Sequence, residues 1–285
     1  MASDVPLGLF RQTVARDGAL TGRSLPLIVI SHGTGGSKDG HYDTALALAN
    51  AGFVVAALEH TGDNYRDQSR ATDLANRPRE LHLLIDYMLA VWPGHAALDA
   101  KRVGAFGFSA GGFTVLTAAG GTPELLLLAP HCRDHPLFFD CLLVAARPGV
   151  AAAFPTFVRD TRIKALVVAA PALGFTFAKG LSKVTQPVQL WRADDDQVLP
   201  APFYADVVHR ALPIPPEFHG EPRADHYDFL APCSEALAKA VPGICKSRPG
   251  FDRAAFHTKF NAAIVSFFAR HLGRKQATER EIGGL

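Results

Sequence analysis

The sequence predicts an α/β fold in which a mostly parallel central sheet is flanked by helices. Strand-like apolar runs alternate with helix-like runs along the chain, which is typical of a parallel sheet covered on both faces. The 285 residues include 25 glycines and 20 prolines, enough for the many short turns between such elements. A short strand, a Gly-x-Ser-x-Gly turn and a helix also follow one another near the middle of the chain. We therefore expect one domain over residues 1–285.

The individual elements follow from the spacing of the apolar residues. Continuous runs of Val, Ile, Leu and Ala indicate strands that are buried on both faces of a sheet. Strands are predicted at 25–31, 53–58, 102–108, 163–170, 186–192 and about 214–219. Helices are predicted at 41–51, 78–91, 110–119, 203–211 and 252–272. Residues 7–20 are expected to add at most one partial strand before them.

The most informative motif is the pentapeptide at 107–111, which reads Gly-Phe-Ser-Ala-Gly. Between a strand and a helix, this pattern indicates a strained turn that lifts the serine Oγ clear of the backbone. Gly107 and Gly111 are needed because side chains there would collide with the neighbouring strand and helix. Ser109 is therefore the predicted nucleophile, and the backbone N–H of Ala110 is a predicted oxyanion donor.

A glycine-rich loop at residues 31–37 follows the first predicted strand. Where a serine turn is present, a loop at this place supplies the second oxyanion donor. We assign that donor to the backbone N–H of Thr34, with Gly35 as the alternative, and expect His32 to orient the loop. A phosphate-binding loop is the competing interpretation, but neither G-x-x-x-x-G-K-[ST] nor G-x-G-x-x-G occurs here.

Three adjacent aspartates, Asp194, Asp195 and Asp196, follow the strand predicted at 186–192. A catalytic acid on such a loop would orient an imidazole and stabilise its protonated form. We favour Asp196 because it stands just before a Gln-Val-Leu-Pro turn, and Asp195 is the alternative. The remaining carboxylates are interpreted as solvated loop residues.

His226 is the predicted general base among the 12 histidines. It lies in the segment Ala-Asp-His-Tyr-Asp, beyond the last predicted strand. His219 is the alternative, but it falls on that strand, whereas a base that reaches the serine belongs on the loop after it. The chain order Ser109, Asp196, His226 is that of the α/β-hydrolases.

Five segments resemble the bacterial predicted dienelactone hydrolase proteins, which are in turn similar to the platelet-activating-factor acetylhydrolases. These segments are residues 31–36, 51–64, 107–112, 196–200 and 225–233. The resemblance spans about residues 6–272 and implies an α/β-hydrolase fold and a serine carboxylic-ester hydrolase without a cofactor. It does not imply the dienelactone reaction, because authentic dienelactone hydrolases use a cysteine where this chain has Ser109.

The interval from residue 120 to residue 162 is about twice as long as an ordinary connection. It carries a Leu-rich run at 125–128 and four phenylalanines, so we interpret it as a cap, or lid, over an apolar pocket at Ser109. A surface excursion that touches no substrate is the alternative. The predicted pocket residues are His32, Gly33, Gly35, His60, Phe108, Phe138, Phe139 and Tyr227.

The four cysteines indicate two local disulfides. Cys132–Cys141 and Cys233–Cys245 each enclose a short segment, and four unpaired thiols are the alternative. An even count favours an oxidising compartment, so we expect a periplasmic or secreted protein, with a cytoplasmic location as the alternative. Residues 1–4 contain no signal peptide. The resemblance implies that relatives carry an export signal and the first strands before Pro6, so we expect the N-terminal strands to be truncated here.

Composition and charge exclude several classes of function. The net charge is +2 without a basic tract, so neither nucleic acid nor an anionic membrane is an expected partner. No apolar run is long enough to span a membrane. No cofactor is expected, and no metal site, because His32, His41 and His60 lack ligand spacing and no Cys-x-x-Cys occurs. The oligomeric state stays open.

The predicted function is hydrolysis of small-molecule carboxylic esters through an acyl-enzyme intermediate. Short-chain acyl esters or acetylated lipid-like substrates are what the resemblance implies. An amidase or an acyltransferase with the same three residues is an alternative. A non-catalytic binding protein on the same scaffold is another, and true dienelactone hydrolysis is the last.

Overall fold

A computed structural model describes residues 2–7, 9–147 and 156–273 of the chain. Its strands are β1 (Ser3–Leu7), β2 (Phe10–Val14), β3 (Leu25–Ser31), β4 (Val54–Ala57), β5 (Leu98–Phe108), β6 (Ile163–Ala169), β7 (Val188–Ala193) and β8 (Glu217–Glu221). The last six form one sheet in the order β4-β3-β5-β6-β7-β8, and every neighbouring pair is parallel. The predicted α/β class with a mostly parallel sheet is confirmed.

Helices cover both faces of this sheet. They are α1 (Tyr42–Asn50), α2 (Asn76–Ala90), α3 (Ala110–Ala118), α4 (Leu128–Asp134), α5 (Phe139–Ala145), α6 (Ala205–Ala211), α7 (Glu235–Ala240), α8 (Pro242–Cys245) and α9 (Arg253–Leu272). Successive residues of β3 point to opposite faces, so Leu27 packs with α2 and α3 while Ile28 packs with α1 and α9. Both faces of the strand are therefore buried, as its continuous apolar run predicts.

The parallel arrangement brings separate loops to one edge of the sheet. The chain leaves the carboxyl ends of β3, β5, β7 and β8 at that edge. The segments that follow these four strands contain the glycine-rich loop, Ser109, Asp196 and His226 respectively. In open parallel sheets, ligands bind at this edge, so the topology alone places the predicted site residues near one another.

The prediction for the N-terminal residues was wrong. Instead of one partial strand, β1 and β2 form an antiparallel hairpin that is separate from the central sheet. The hairpin packs on α1 through the rings of Phe10 and Tyr42, whose centroids are 5.1 Å apart. Only Val5 and Phe10 of the hairpin are buried, so its apolar pattern is too short to indicate two strands.

The predicted cap contains a 3₁₀ turn at Leu125–Leu127 and the helices α4 and α5, while residues 148–155 lie outside the described residues. Both predicted disulfides are present. Cys132–Cys141 joins α4 to α5, and Cys233–Cys245 joins the segment before α7 to α8. Within the part of the chain that the structure describes, no helix has the length and apolar character needed to cross a membrane.

Candidate active site

Ser109 lies on a sharp turn between β5 and α3. Its φ of 56° and ψ of −120° fall in a region that residues with a Cβ rarely adopt. A Cβ at Gly107 would lie 2.1 Å from the carbonyl oxygen of Gly111, and one at Gly111 would lie 1.9 Å from that of Ser31. Only glycine fits at either place. The N–H of Ser109 donates to the carbonyl of Ala169 at 2.9 Å, which fixes the strained turn to β6.

Ser109, His226 and Asp196 form a continuous hydrogen-bonded row. His226 Nε2 lies 3.1 Å from Ser109 Oγ, and His226 Nδ1 lies 2.8 Å from Asp196 Oδ2. All three side chains are buried. The ionised Asp196 accepts a hydrogen bond from the Nδ1–H group of His226. The proton therefore stays on Nδ1, and Nε2 is free to take the proton of the serine hydroxyl.

The carboxylate of Asp196 is held in its ionised form. Burial raises its pKa, but the charge and hydrogen bond of His226 and the N–H groups of Leu199 and Val198 outweigh burial. The pKa of Asp196 therefore lies below its ordinary value. Its Oδ1 accepts those two N–H groups at 2.6 and 2.9 Å, so the acid is fixed by its own loop.

The alternatives to this acid and base lie in other surroundings. Asp195 is half-buried and faces Arg248 at 3.4 Å. Asp194 pairs with a neighbouring arginine at 2.8 Å. His219 stacks on Trp191 with ring centroids 4.1 Å apart. Asp196 is the one aspartate of the three that contacts His226.

The backbone around His226 is fixed by a capping box. We call residues 225–230 the histidine loop. The side chain of Asp225 accepts the N–H of His226 at 2.7 Å, and the side chain of Asp228 accepts the N–H of Asp225 at 2.8 Å. Asp228 is fully buried and forms an ion pair with Arg253 at 3.1 Å. This support lies behind the base and was not apparent from the sequence.

The glycine-rich loop at residues 31–37, which we call the oxyanion loop, touches the serine. A Cβ at Gly33 would lie 3.1 Å from Ser109 Cβ, so the backbone passes within van der Waals contact. Thr34 comes next and is half-buried. Ala110 is the first residue of α3, where a backbone N–H has no partner within the helix. The two segments that carry the predicted donors therefore meet at Ser109, and the donor role of Thr34 and Ala110 stays a prediction.

Two histidines and one aspartate pack behind the oxyanion loop. His32 Nε2 accepts the N–H of His60 at 3.1 Å, and Asp63 Oδ1 accepts the N–H of Gly35 at 2.9 Å. His60 Nε2 lies 2.8 Å from Ser31 Oγ. Burial lowers the pKa of both histidines well below the ordinary value. Because the His60 ring is fully buried behind the loop, the structure does not place it at the opening of the predicted pocket.

Two charged residues of α2 complete this network and were missed from the sequence. Glu80 lies 2.8 Å from His60 Nδ1, and Arg77 pairs with Asp63 at 2.5 Å. The run Asn-Arg-Pro-Arg-Glu at 76–80 looks like a solvated helix start, yet Arg77 is only 3% exposed. Nothing in the local spacing distinguishes the buried Arg77 from Arg79, which is exposed.

The predicted aromatic pocket residues fall into two groups. Phe108 packs against the His226 ring with centroids 4.8 Å apart, and Tyr227 meets the same ring edge-on at 5.4 Å. Phe138 and Phe139 lie in the cap, where Phe138 stacks on a neighbouring histidine at 4.6 Å. The structure therefore brings only the first pair against the base, and substrate contact by either pair stays a prediction.

Asp140 of α5 is a buried carboxyl group that the sequence did not single out. Its Oδ2 accepts the N–H of Leu173 at 3.3 Å, next to the residue whose N–H binds the Ser109 carbonyl. Burial raises the pKa of Asp140 to about 6. This contact joins the cap to the segment that supports the serine turn.

Residues 2–7, 9–147 and 156–273, which the structure describes, contain no group of three or more His, Cys, Asp or Glu side chains that could hold a metal ion. The His41 ring packs against Phe106 and Phe108 instead, with centroids 4.9 and 5.4 Å away. The expected absence of a metal and of a cofactor stays a prediction.

A parallel sheet with helices on both faces, a serine turn between strand and helix, and later loops that carry an acid and a histidine define the α/β-hydrolase fold. A ferulic acid esterase from Streptomyces cinnamoneus has a similar structure: the TM-score is 0.58 at 21% identity, and the match covers 91% of this chain and 70% of that chain. Residues 4–81 match the family described as platelet-activating factor acetylhydrolase, isoform II. The chain has the α/β-hydrolase fold and resembles the platelet-activating factor acetylhydrolases over residues 4–81, as predicted. The closer resemblance to bacterial dienelactone hydrolase proteins stays a prediction.

Proposed function

We propose that this chain is a serine esterase that cleaves carboxylic esters through an acyl-enzyme intermediate. The ester hydrolase class is supported by the family match over residues 4–81 and by the esterase with a similar structure. The observation that carries the proposal is the hydrogen-bonded row from Asp196 through His226 to Ser109 on a strained turn. In this geometry a neutral imidazole is held ready to accept the serine proton.

Acylation begins when Ser109 Oγ attacks the ester carbonyl carbon. His226 Nε2 takes the Oγ proton, and the Asp196 carboxylate stabilises the imidazolium that forms. The carbonyl oxygen becomes an oxyanion, which accepts hydrogen bonds from the backbone N–H groups of Thr34 and Ala110. The tetrahedral intermediate collapses when the C–O bond to the alcohol breaks and His226 returns its proton to the leaving oxygen.

Deacylation repeats these steps with water in place of the serine. His226 takes a proton from water, whose oxygen attacks the acyl carbon, and the same oxyanion donors act again. The carboxylic acid leaves, and Ser109 Oγ regains its proton from His226. One water molecule is consumed per ester cleaved.

The proposed substrates are short-chain acyl esters or acetylated lipid-like esters. Aromatic side chains of the cap and of the histidine loop support an apolar binding surface, with Phe138 and Tyr227 as examples. In this proposal, residues 120–162 form a cap on a single domain that spans residues 1–285. The two disulfides are consistent with an oxidising compartment, and a periplasmic or secreted location is part of the proposal.

The test is hydrolysis of a p-nitrophenyl ester series, from acetate to palmitate, by the wild type and by Ser109→Ala. We expect the substitution to lower kcat at least about 10³-fold without a change in the circular dichroism spectrum. Ser69→Ala, on an exposed loop, is the matched control and should keep wild-type turnover. Wild-type activity in Ser109→Ala would rule out the proposal, and the chain-length optimum measures the acyl pocket.

An amidase or acyltransferase would use the same three residues with another leaving group or acceptor. Product analysis with an amide substrate, or with an added alcohol, separates these reactions from ester hydrolysis. A non-catalytic binding protein would neither hydrolyse esters nor react with a fluorophosphonate. We expect the fluorophosphonate to label Ser109 because the hydroxyl lies 3.1 Å from a buried imidazole nitrogen.

A further inference from the structure

We propose that Arg77, acting with Asp63, is a positioning group that fixes both predicted oxyanion donors at once. This inference rests on the proposed esterase function. The Arg77 side chain is 3% exposed and lies in the first turn of α2, and its guanidinium contacts the backbone of the oxyanion loop. Its hydrogen bonds reach three segments that are far apart in the sequence.

The first branch leads to the oxyanion loop. Arg77 Nη2 donates to the carbonyl oxygen of His32. Arg77 Nη1 donates to Asp63 Oδ2 at 2.5 Å, and Asp63 Oδ1 accepts the N–H of Gly35 at 2.9 Å. The backbone is therefore held on both sides of Thr34. These contacts anchor the His32–Gly33 and Thr34–Gly35 peptide units, which flank the Gly33–Thr34 unit that carries the Thr34 N–H. Because each peptide unit is planar, fixing both flanking units restricts the direction of that N–H.

The second branch leads to the serine turn. Arg77 Nε donates to Thr114 Oγ1 at 3.1 Å, and Thr114 Oγ1 donates to the carbonyl oxygen of Ala110 at 2.7 Å. Thr114 is fully buried in α3. The residue that carries the second predicted donor is thus held through its own carbonyl. One guanidinium sets the relative position of two segments, 31–37 and the first turn of α3.

The chemistry of the pair supports a geometric role over a role in stability. A buried ion pair adds little to stability compared with apolar residues of the same volume, because both charges lose their hydration. Arginine offers its donors in a rigid planar fork, which suits a group that must hold several acceptors in fixed positions. Oxyanion donors act only when they are aligned before the reaction begins. Arg77 supplies that alignment without touching the substrate.

The test uses Thr114→Val, Asp63→Asn and Arg77→Lys in the full chain. Thr114→Val removes a neutral hydroxyl with both of its hydrogen bonds, the one from Arg77 Nε and the one to the Ala110 carbonyl, and leaves the charges in place. It therefore reports on the second branch even where the charge variants fold poorly. For all three we expect kcat to fall by about 10- to 10³-fold, the range of losing one oxyanion donor, with KM nearly unchanged. The endpoint of fluorophosphonate labelling measures the concentration of enzyme with a reactive serine, and kcat is calculated per labelled site.

Two inhibitors separate positioning from folding. An alkyl boronic acid forms a tetrahedral adduct with Ser109 Oγ and places one oxygen in the oxyanion site. Its affinity should fall in proportion to kcat across the variants, whereas the affinity of a product carboxylic acid should change less than about threefold. The matched control is Asp160→Asn, since Asp160 is a buried carboxylate paired with Arg162. It lies at the opposite end of β6, so its loss should lower stability but not kcat.

The positioning role and the esterase function fail by different results. If the three variants behaved like Asp160→Asn, losing stability but keeping kcat and boronic acid affinity per labelled site, the positioning role would be overturned. If Asp63→Asn and Arg77→Lys lost activity but Thr114→Val did not, the second branch, which links Arg77 to Ala110, would be overturned. The claim that Arg77 fixes both donors at once would fail with it. Activity that persists in Ser109→Ala would instead overturn the proposed esterase.

Discussion

The oxyanion loop and the histidine loop meet at Ser109, and each is backed by a buried arginine–aspartate pair. Arg77 hydrogen-bonds to three segments, which follow β3, β4 and β5 respectively. Arg253 bonds to Asp228 at 3.1 Å and to the carbonyl of Ile244 at 2.9 Å, both within about 25 residues of it. The Cys233–Cys245 disulfide closes the same C-terminal region.

The difference lies in how local the support is. The histidine loop is held by a capping box, by the nearby Cys233–Cys245 disulfide and by Arg253 of α9. Its position therefore does not depend on a single contact. The oxyanion loop is held by His60 and Asp63 from the segment after β4 and by Arg77 of α2, which also bonds to α3. We therefore expect changes on the histidine side to lower stability first, and changes on the oxyanion side to lower turnover first. Asp196 is the exception, because it contacts the base His226 directly.

The largest effect is expected from Asp196→Asn, which acts on the base directly. Without the carboxylate, His226 loses the acceptor that fixes its tautomer, and kcat should fall by about 10⁴-fold. The fold should persist, because Asn can still accept the N–H groups of Val198 and Leu199. Steady-state kinetics on p-nitrophenyl acetate measures the loss.

Asp195→Asn is the matched control for this substitution. Its carboxylate is partly exposed and faces Arg248, so kcat should stay within about twofold of wild type. If the two variants lost activity equally, Asp196 would not be the acid of the row. Asp196 would then no longer be an exception to the expectation that changes on the histidine side lower stability before turnover.

The serine turn was predictable because its sequence signals are local. Glycines at 107 and 111, an apolar strand before Ser109 and small residues after it all lie within one continuous segment. The strands β3, β5, β6 and β7 were predictable for the same reason, since each contains a run of residues that is buried on both faces. The choice of Asp196 depended on the turn that follows it, and the structure places this aspartate next to His226.

The supporting network was not predictable because its signals are not local. Arg77 and Asp63 are 14 positions apart, and the chain between them carries other arginines and aspartates that stay exposed. Which charge is buried depends on how α2 packs against β3 and α3, a property of the assembled fold. The N-terminal hairpin was missed for another reason, since its two buried side chains, Val5 and Phe10, are too few to make a pattern.

A smaller effect on activity, with a larger one on stability, is expected from Arg253→Met. The substitution leaves Asp228 buried without its ion-pair partner, which costs about 3–5 kcal/mol of unfolding free energy. The capping box and the disulfide still hold the loop, so kcat per fluorophosphonate-labelled site should fall less than about tenfold. Chemical denaturation and labelled-site kinetics on the same sample measure both quantities. A 100-fold loss of kcat at unchanged stability would show that the histidine loop depends on its arginine as closely as the oxyanion loop does.

The smallest effect is expected on the pH dependence of the unfolding free energy. It distinguishes the oxyanion side from the histidine side through the buried histidines near the oxyanion loop. His32 and His60 lie behind the oxyanion loop and His41 follows it, and burial lowers the pKa of all three, that of His41 to about 4. The unfolded chain binds a proton at each near pH 6.5, whereas the folded chain does not until the pH is far lower. Stability therefore falls as the pH drops below about 6.5, by up to about 1.4 kcal/mol per pH unit for each histidine. Between pH 6.5 and about 4, His41→Phe should remove one such contribution from the slope of unfolding free energy against pH.

Denaturant titrations at half-unit steps of pH measure that slope, and phenylalanine suits the site because the ring already packs against Phe106 and Phe108. His95→Gln, on the exposed surface, is the control and should leave the slope unchanged. The charged neighbours of His41 are Asp43 and His257, which act in opposite directions on its pKa and are both smaller causes than burial. An unchanged slope in His41→Phe would mean that His41 takes up its proton in the folded state as easily as in the unfolded one. The acid sensitivity of the oxyanion side would then come from His32 and His60 alone.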